Sequence, residues 1–218
     1  MNTTLSSPAL PATSIAILAG GLATRMDGVD KGLQQLQGKA LVQRLLEQLS
    51  GQTDDLLLNT NRNQQQYQSL SPQARVISDI WPDSRGPLAG IYSCLQQARH
   101  NYLLVIPCDL ITLPDHLLPK MHQALQDNDC AAAYAEINQQ ALYPLCLLHK
   151  SGLNSLAKQL QTQQYAVRHW LFAQSACKVA FQLDCHAPVN LNSLALLQQA
   201  NQMLQPDFPN QTGVAASK

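Results

Sequence analysis

The stretch Ile17–Leu33, "ILAGGLATRMDGVDKGL", sets an apolar run against two adjacent glycines and then supplies Arg25 and Lys31. The residues leading into it, Ser14–Leu18 "SIAIL", form a short continuous apolar segment of the kind that makes a buried strand. A strand that runs into bare backbone beside two positive charges suits a phosphate chain. Backbone N–H groups at Ala19–Leu22 would supply donors in the manner of other anion-binding nests. Arg25 can fork onto two phosphate oxygens, and Lys31 can act as a point charge. Gly20–Gly21 alone reads equally as a tight strand-to-helix turn, and either cation alone as a solvated charge. Their joint placement at a strand end is what points to a nucleotide. Two common phosphate loops are excluded. The Walker pattern fails because Arg25 and Met26 stand where lysine and a hydroxyl residue should, and G-x-G-x-x-G fails because the glycines are adjacent.

Outward from that segment the pattern alternates. Leu41, Val42, Leu45, Leu46 and Leu49 recur at helical spacing, with Gly51 placed as a C-cap. "DDLLLNTN" reads as a strand, "RNQQQYQSL" as a helix, "ARVISD" as a strand, "GPLAGIYSCLQQAR" as a helix and "NYLLVIPCD" as a central strand. This order predicts a three-layer α/β domain with a mostly parallel, Rossmann-like sheet and helices on both faces. A helix over "PDHLLPKMHQALQ" follows, with Asp115 as its first-turn acid. The alternation then changes. "CAAAYAEIN" and "ALYPLCLLH" read as an antiparallel pair turning at "NQQ", a small excursion within the parallel sheet. "SGLNSLAKQLQ" is a helix capped by Ser151, "VRHWLFAQ" a short helix, "KVAFQL" a strand and "NLNSLALLQQANQML" a last helix capped by Ser193. One domain over 14–204 is expected, with flexible tails at 1–13 and 205–218.

Open parallel sheets bind ligands at the carboxyl ends of their strands. Gly20–Gly21, Asn59, Asp79 and Asp109 all stand at such ends. Asp109 closes an apolar strand, where a carboxylate needs a partner, solvent or a cation. As a Mg²⁺ ligand it would leave the remaining positions to phosphate oxygens and water. As a helix-capping acid it would do none of this. Asp79 can accept from a ribose hydroxyl or a base, or serve a turn. The small residues of "DIWPDSRGPLAG" allow close approach by a flat group. Asn190 and Asn192 put two amides on one side of an extended segment, toward an acceptor substrate or the metal's water shell, unless the segment is merely a loop entering the last helix.

The 218 residues carry 14 basic and 14 acidic side chains, and charged residues make up only 13%. That balance gives no electrostatic reason to expect nucleic acid or an anionic membrane. The start lacks the basic and apolar regions of a signal peptide, and no apolar run approaches the length of a membrane span. Six cysteines at 94, 108, 130, 146, 177 and 185, with no C-x-x-C, read as buried free thiols in a reducing, cytoplasmic compartment. His149 and His169 read as surface or packed histidines, and Trp81 and Trp170 as packing residues. No G-x-S-x-G or H-E-x-x-H is present. That absence is compatible with catalysis by an already anionic phosphate nucleophile, which needs no general base.

The segments "LAGGLATRM" with "DKGL", "NTNR", "VISD", "GPLAGI", "PCD", "YPLCLL" and "VNLNS" stand in an order that resembles the bacterial molybdenum cofactor guanylyltransferases, or molybdopterin-guanine dinucleotide synthases, within the nucleotidyltransferase superfamily. The resemblance spans about Ile15 to Leu204. It implies a fold of the nucleotide-diphospho-sugar transferase type and Mg²⁺-dependent transfer of GMP from GTP to molybdopterin-bound molybdenum, with release of pyrophosphate. Position by position it implies GTP contacts at Leu18, Ala19, Gly20, Lys31, Asn59, Asp79 and Asp109, with Asp109 also the metal ligand. Arg25 and Lys31 join Asp109 as the implied catalytic groups, and Gly28, Gly86, Gly90, Asn190 and Asn192 match acceptor positions. GTP and molybdopterin are the implied substrates, molybdoenzyme chaperones are candidate partners, and the chain is expected to be a monomer. Asp27 departs from the family's usual glycine. Use of CTP, a sugar-1-phosphate acceptor, or nucleotide binding without catalysis are the alternative readings.

Overall fold

The protein is described by a computed structural model over residues 10–20, 29–81, 86–184 and 188–204. The expected tails therefore lie largely outside the described residues, as do Arg25, Asp27, Gly28 and Cys185.

One seven-stranded sheet organises the chain, in the order β5 (Arg75–Ile77), β4 (Leu56–Asn59), β1 (Thr13–Leu18), β6 (Tyr102–Pro107), β8 (Gln140–His149), β7 (Ala132–Ile137), β9 (Cys177–Phe181). Only β8 runs against the others. It pairs antiparallel with both β6 and β7, whereas β5–β4, β4–β1, β1–β6 and β7–β9 are parallel. The expected mostly parallel sheet with a small antiparallel excursion is what forms.

Strand alternation sorts the core into two faces. Ile15, Ile17, Leu104 and Ile106 pack with Val42 and Leu45 of α1 (Leu41–Gln48), Tyr67 of α2 (Gln64–Leu70) and Met121 of α4 (Leu117–Asn128). Ala16, Leu57, Leu103 and Val105 face Leu88, Ile91 and Leu95 of α3 (Pro87–Gln97), Leu156 of α5 (Leu153–Gln161) and Trp170 of α6 (Val167–Ala173). Each fully buried aliphatic side chain contributes about 1.5–3 kcal/mol, so these two layers dominate the fold. Trp170 is a packing residue, as expected, with its indole N–H donating to Ser155 Oγ at 3.0 Å.

The β7–β8 hairpin turns through Asn138 (φ 49°) and Gln139 (φ 67°), a two-residue loop with both residues left-handed, which matches strand twist. Further along, the register passes from Tyr134↔Cys146 to Ala135↔Leu142, so residues 143–145 bulge from β8. Pro144 lies in that bulge. It has no N–H for the ladder, which favours such a break.

Four local expectations change. The sequence reading missed a small hairpin of β2 (Gln35–Leu36) and β3 (Lys39–Ala40), turned by Gln37 and Gly38 at positive φ. Ser151 does not cap α5: it sits in a 3₁₀ turn, its hydroxyl 2.9 Å from His149 Nδ1, and Gly152 precedes the helix. Asp115 lies ahead of α4, whose cap is His116, so the first turn holds no acid. Cys94, Cys108 and Cys146 are buried free thiols as expected, but Cys130 and Cys177 form a disulfide. It ties the end of α4 to the first residue of the edge strand β9. Ser193 does cap α7 (Leu194–Met203), accepting from Leu196 N at 3.2 Å. Among the described residues no helix is long and apolar enough to cross a membrane.

Candidate active site

Strand order reverses at β1: β4 and β5 extend to one side and β6 to the other. Such a switch point leaves a crevice at the strands' carboxyl ends. There Cys108 N donates to Leu18 O at 3.1 Å, and Ala19 N donates to Asn59 O at 2.8 Å. The second bond corrects the expectation for the glycine loop: the Ala19 amide is already engaged by the sheet. The donors left for an anion begin at Gly20. A Cβ on Gly20 would stand 3.3 Å from Thr60 Cα, so glycine lets the loop lie against the end of β4.

A pocket of about 380 Å³ occupies the crevice, lined by Leu18, Ala19, Gly20, Lys31, Asn59, Asp79, Gly86 and Asp109, together with Asn61 and Pro144. That size falls in the range of small-ligand sites. Seven positions expected to contact GTP and one acceptor position thus share one cavity. Gly90 is buried in α3 instead, where a Cβ would collide with Asn59 Oδ1, so its smallness makes room for Asn59. Gly86, with φ 69°, sits at the pocket wall where only glycine is at ease.

Lys31 Nζ lies 2.9 Å from Asp109 Oδ2 and 3.4 Å from Asn192 Oδ1. The pair is mostly shielded, with 24% and 14% of the two side chains exposed. The lysine's turn is fixed from below. Buried Asp30 accepts from the Tyr67 hydroxyl and from Asn63 Nδ2 at 2.9 Å. Burial, reinforced by the bond to Asp30, pushes the Tyr67 phenol up, so it remains a donor. A Cβ at Gly32 would strike that hydroxyl. The carboxyl-terminal segment, outside the pocket lining itself, is tied to Asp109: Leu191 N donates to Asp109 O at 2.9 Å and Asn190 bridges Leu110. Buried Leu191 anchors this segment, and α7 packs on the β2–β3 hairpin, where Gln37 N donates to Asn201 Oδ1 at 2.8 Å. This is how Asn192 reaches Lys31 from 161 residues away.

Asp79 is held by amides. Asn59 Nδ2 donates to Oδ1 at 2.8 Å, and Asn61 Nδ2 to Oδ2 at 2.8 Å. Asn61 was missed by the sequence reading. Its signal was positional, since it follows Asn59 by two residues at the end of β4. Cys108 is inert: burial, followed by the negative charge of Asp109, pushes its thiol up.

Among the described residues no three His, Cys, Asp or Glu side chains gather around one point. Among the described residues Asp109 is the pocket carboxylate in contact with Lys31, while Asp79, the other carboxylate in the lining, is held by the Asn59 and Asn61 amides. Asp109 would fit Mg²⁺ delivered with phosphate oxygens better than a metal held by protein side chains alone.

A switch-point crevice with Gly20 beside a lysine and a carboxylate in contact suits a nucleotide-handling enzyme, and the relatives of this chain make it a nucleotidyltransferase. Residues 15–177 match the family model for the MobA-like NTP transferase domain. Molybdenum cofactor guanylyltransferase from Acinetobacter baumannii (strain ACICU) is 36% identical over 194 residues, covering 88% of this chain and 93% of that protein. The enzyme of that name from Burkholderia cenocepacia (strain HI2424) is 39% identical over 196 residues, covering 87% and 95%. Among solved structures, molybdopterin-guanine dinucleotide biosynthesis protein A from Archaeoglobus fulgidus superposes with a TM-score of 0.66 at 20% identity, covering 87% and 97%. The chain belongs to the MobA-like NTP transferase family and, within it, to the molybdenum cofactor guanylyltransferases.

Proposed function

We propose that this chain transfers GMP from GTP to molybdopterin-bound molybdenum, releasing pyrophosphate, with Mg²⁺ bound at Asp109. The Lys31–Asp109 contact beside the glycine turn carries the reading, because it sets one cation and one carboxylate where a triphosphate would enter. An acceptor phosphate oxygen attacks the α-phosphorus of GTP. A new P–O bond forms, the bond to the β-phosphate bridging oxygen breaks, and pyrophosphate leaves with that electron pair. The nucleophile is already anionic, so positioning and charge neutralisation carry the step. When bound, Mg²⁺ supplies charge withdrawal at the phosphates.

Lys31 turns from Asp109 to the phosphate oxygens and stabilises charge on the departing pyrophosphate. Gly20 lets the backbone approach the anion. Asp79 accepts from a nucleoside donor, and the asparagines of the 190–192 segment orient the acceptor. Arg25 and Gly28 lie outside the described residues, and their roles rest on the sequence pattern. The cytoplasm is the compartment proposed for this synthesis, and the Cys130–Cys177 disulfide removes the cysteine pattern as an argument for it.

The test is incubation with each of the four ribonucleoside triphosphates, Mg²⁺ and molybdopterin, with products read by mass spectrometry. The guanine dinucleotide is expected. A product formed preferentially from CTP would refute the guanylyl assignment.

A further inference from the structure

We propose that Asn61 is a positioning residue for nucleotide binding, acting through Asp79; this rests on the nucleotide site described above. Strand β5 ends at Ile77, two residues before Asp79, and among the described residues no strand pairs with its outer side. The last ladder bond there is Thr60 N to Ile77 O, at 2.9 Å. Beyond it the Asn61 side chain does what a strand backbone would have done. Its Oδ1 accepts from Asp79 N at 2.8 Å, while its Nδ2 donates to Asp79 Oδ2 at 2.8 Å. One amide thus fixes both the main chain and the carboxylate of the same residue. Asn59 completes the clamp on Oδ1, and Ser93 Oγ accepts from Ile80 N at 2.9 Å on the far side.

The clamp has a chemical consequence. A carboxylate offers about four acceptor positions. Each Asp79 oxygen accepts one amide N–H, which leaves acceptor capacity on both for a ligand. Neutral amides hold the carboxylate without adding a cation that would compete with Lys31 for phosphate. Phosphates are repelled from Asp79 and drawn to the Lys31 end, so the nucleoside is placed at the Asp79 end. Asn61 acts on the nucleoside and leaves the triphosphate alone.

The experiment measures binding of GTP, and separately of inorganic tripolyphosphate, to the full chain by calorimetry with Mg²⁺ present. Asn61 is exposed, so Asn61→Ala should fold, and its unchanged melting temperature is checked first. The variant is expected to bind GTP about tenfold more weakly, the loss of one to two hydrogen bonds to a charged group, with tripolyphosphate affinity unchanged. Adding Asn61→Ala to Asp79→Asn should weaken GTP no further than Asp79→Asn alone. Wild-type affinity for GTP in Asn61→Ala, equal loss for both ligands, or full additivity in the double variant would each overturn the proposal. Failure of the wild-type chain to bind GTP at all would instead overturn the nucleotide site itself, and the proposal with it.

Discussion

Lys31 and Asp109, 78 residues apart in the chain, meet in the lining of the pocket with Nζ 2.9 Å from Oδ2. The ammonium stands where a cation bound to Asp109 would have to come. With Mg²⁺ at Asp109 as proposed, the lysine would compete with the metal in the nucleotide-free protein, and phosphate oxygens would draw it away when nucleotide binds. Lys31→Ala should bind Mn²⁺ in the absence of nucleotide several-fold more tightly than wild type, by electron paramagnetic resonance titration, while losing about 100-fold or more in turnover. Equal or weaker Mn²⁺ binding in the variant would remove the competition.

Gly90 should tolerate no side chain. Gly90→Ala drives a methyl into Asn59 Oδ1, inside a buried helix–strand contact. A loss of about 1–3 kcal/mol in urea unfolding is expected, together with a raised KM for GTP as Asn59 is pushed off Asp79. An alanine variant with wild-type stability and KM would contradict this packing.

Asp55 sets an acid limit on stability. Its carboxylate, 1% exposed, accepts from Ser14 Oγ at 2.6 Å, Arg75 at 2.7 Å and Arg99 N at 2.8 Å. Burial is the largest influence and opposes ionisation. The Arg99 amide, the Ser14 hydroxyl and Arg75 together outweigh it, so the group lies below its ordinary value of 3.8. A depressed folded value means this stabilisation is full above 3.8 and disappears as pH falls through the folded value. Wild type should lose more stability between pH 7 and pH 3 than Asp55→Asn does. Asp55→Ala, which leaves Arg75 without its carboxylate, should cost about 3 kcal/mol at pH 7.

The Cys130–Cys177 disulfide closes a loop with a sequence separation of 47. Constraint of the unfolded chain by such a loop contributes about 3–4 kcal/mol. Denatured protein should yield two more reactive thiols after reduction than before, and Cys130→Ser should lower the melting temperature of the unreduced protein. Equal thiol counts would show the pair to be reduced.

Much of this architecture was legible in the sequence because it depended on local pattern. "SIAIL" and "NYLLVIPCD" are apolar runs ended by polar rim residues, and they became neighbouring strands β1 and β6 with Leu18 opposite Pro107. The rim positions Gly20, Asn59, Asp79 and Asp109 followed from where those runs stop. What escaped was set by tertiary contact. The β2–β3 hairpin is two residues per strand, too short for any periodicity, and is held by Asn201 from the far end of the chain. Asn61 gained its role only when β5 placed Asp79 beside it. Ser151 is an ordinary capping residue by type, but His149 claims its hydroxyl. The two cysteines lie 47 positions apart and became partners only through the pairing of β7 with β9.

The most direct measurement is pyrophosphate release from GTP in the presence of molybdopterin and Mg²⁺, compared between wild type and Asp109→Ala at matched folded concentration. Release by wild type and its near-complete loss in the variant, with the unfolding transition intact, is the predicted result. Full release by Asp109→Ala would contradict the account, since the carboxylate in contact with Lys31 would then be dispensable.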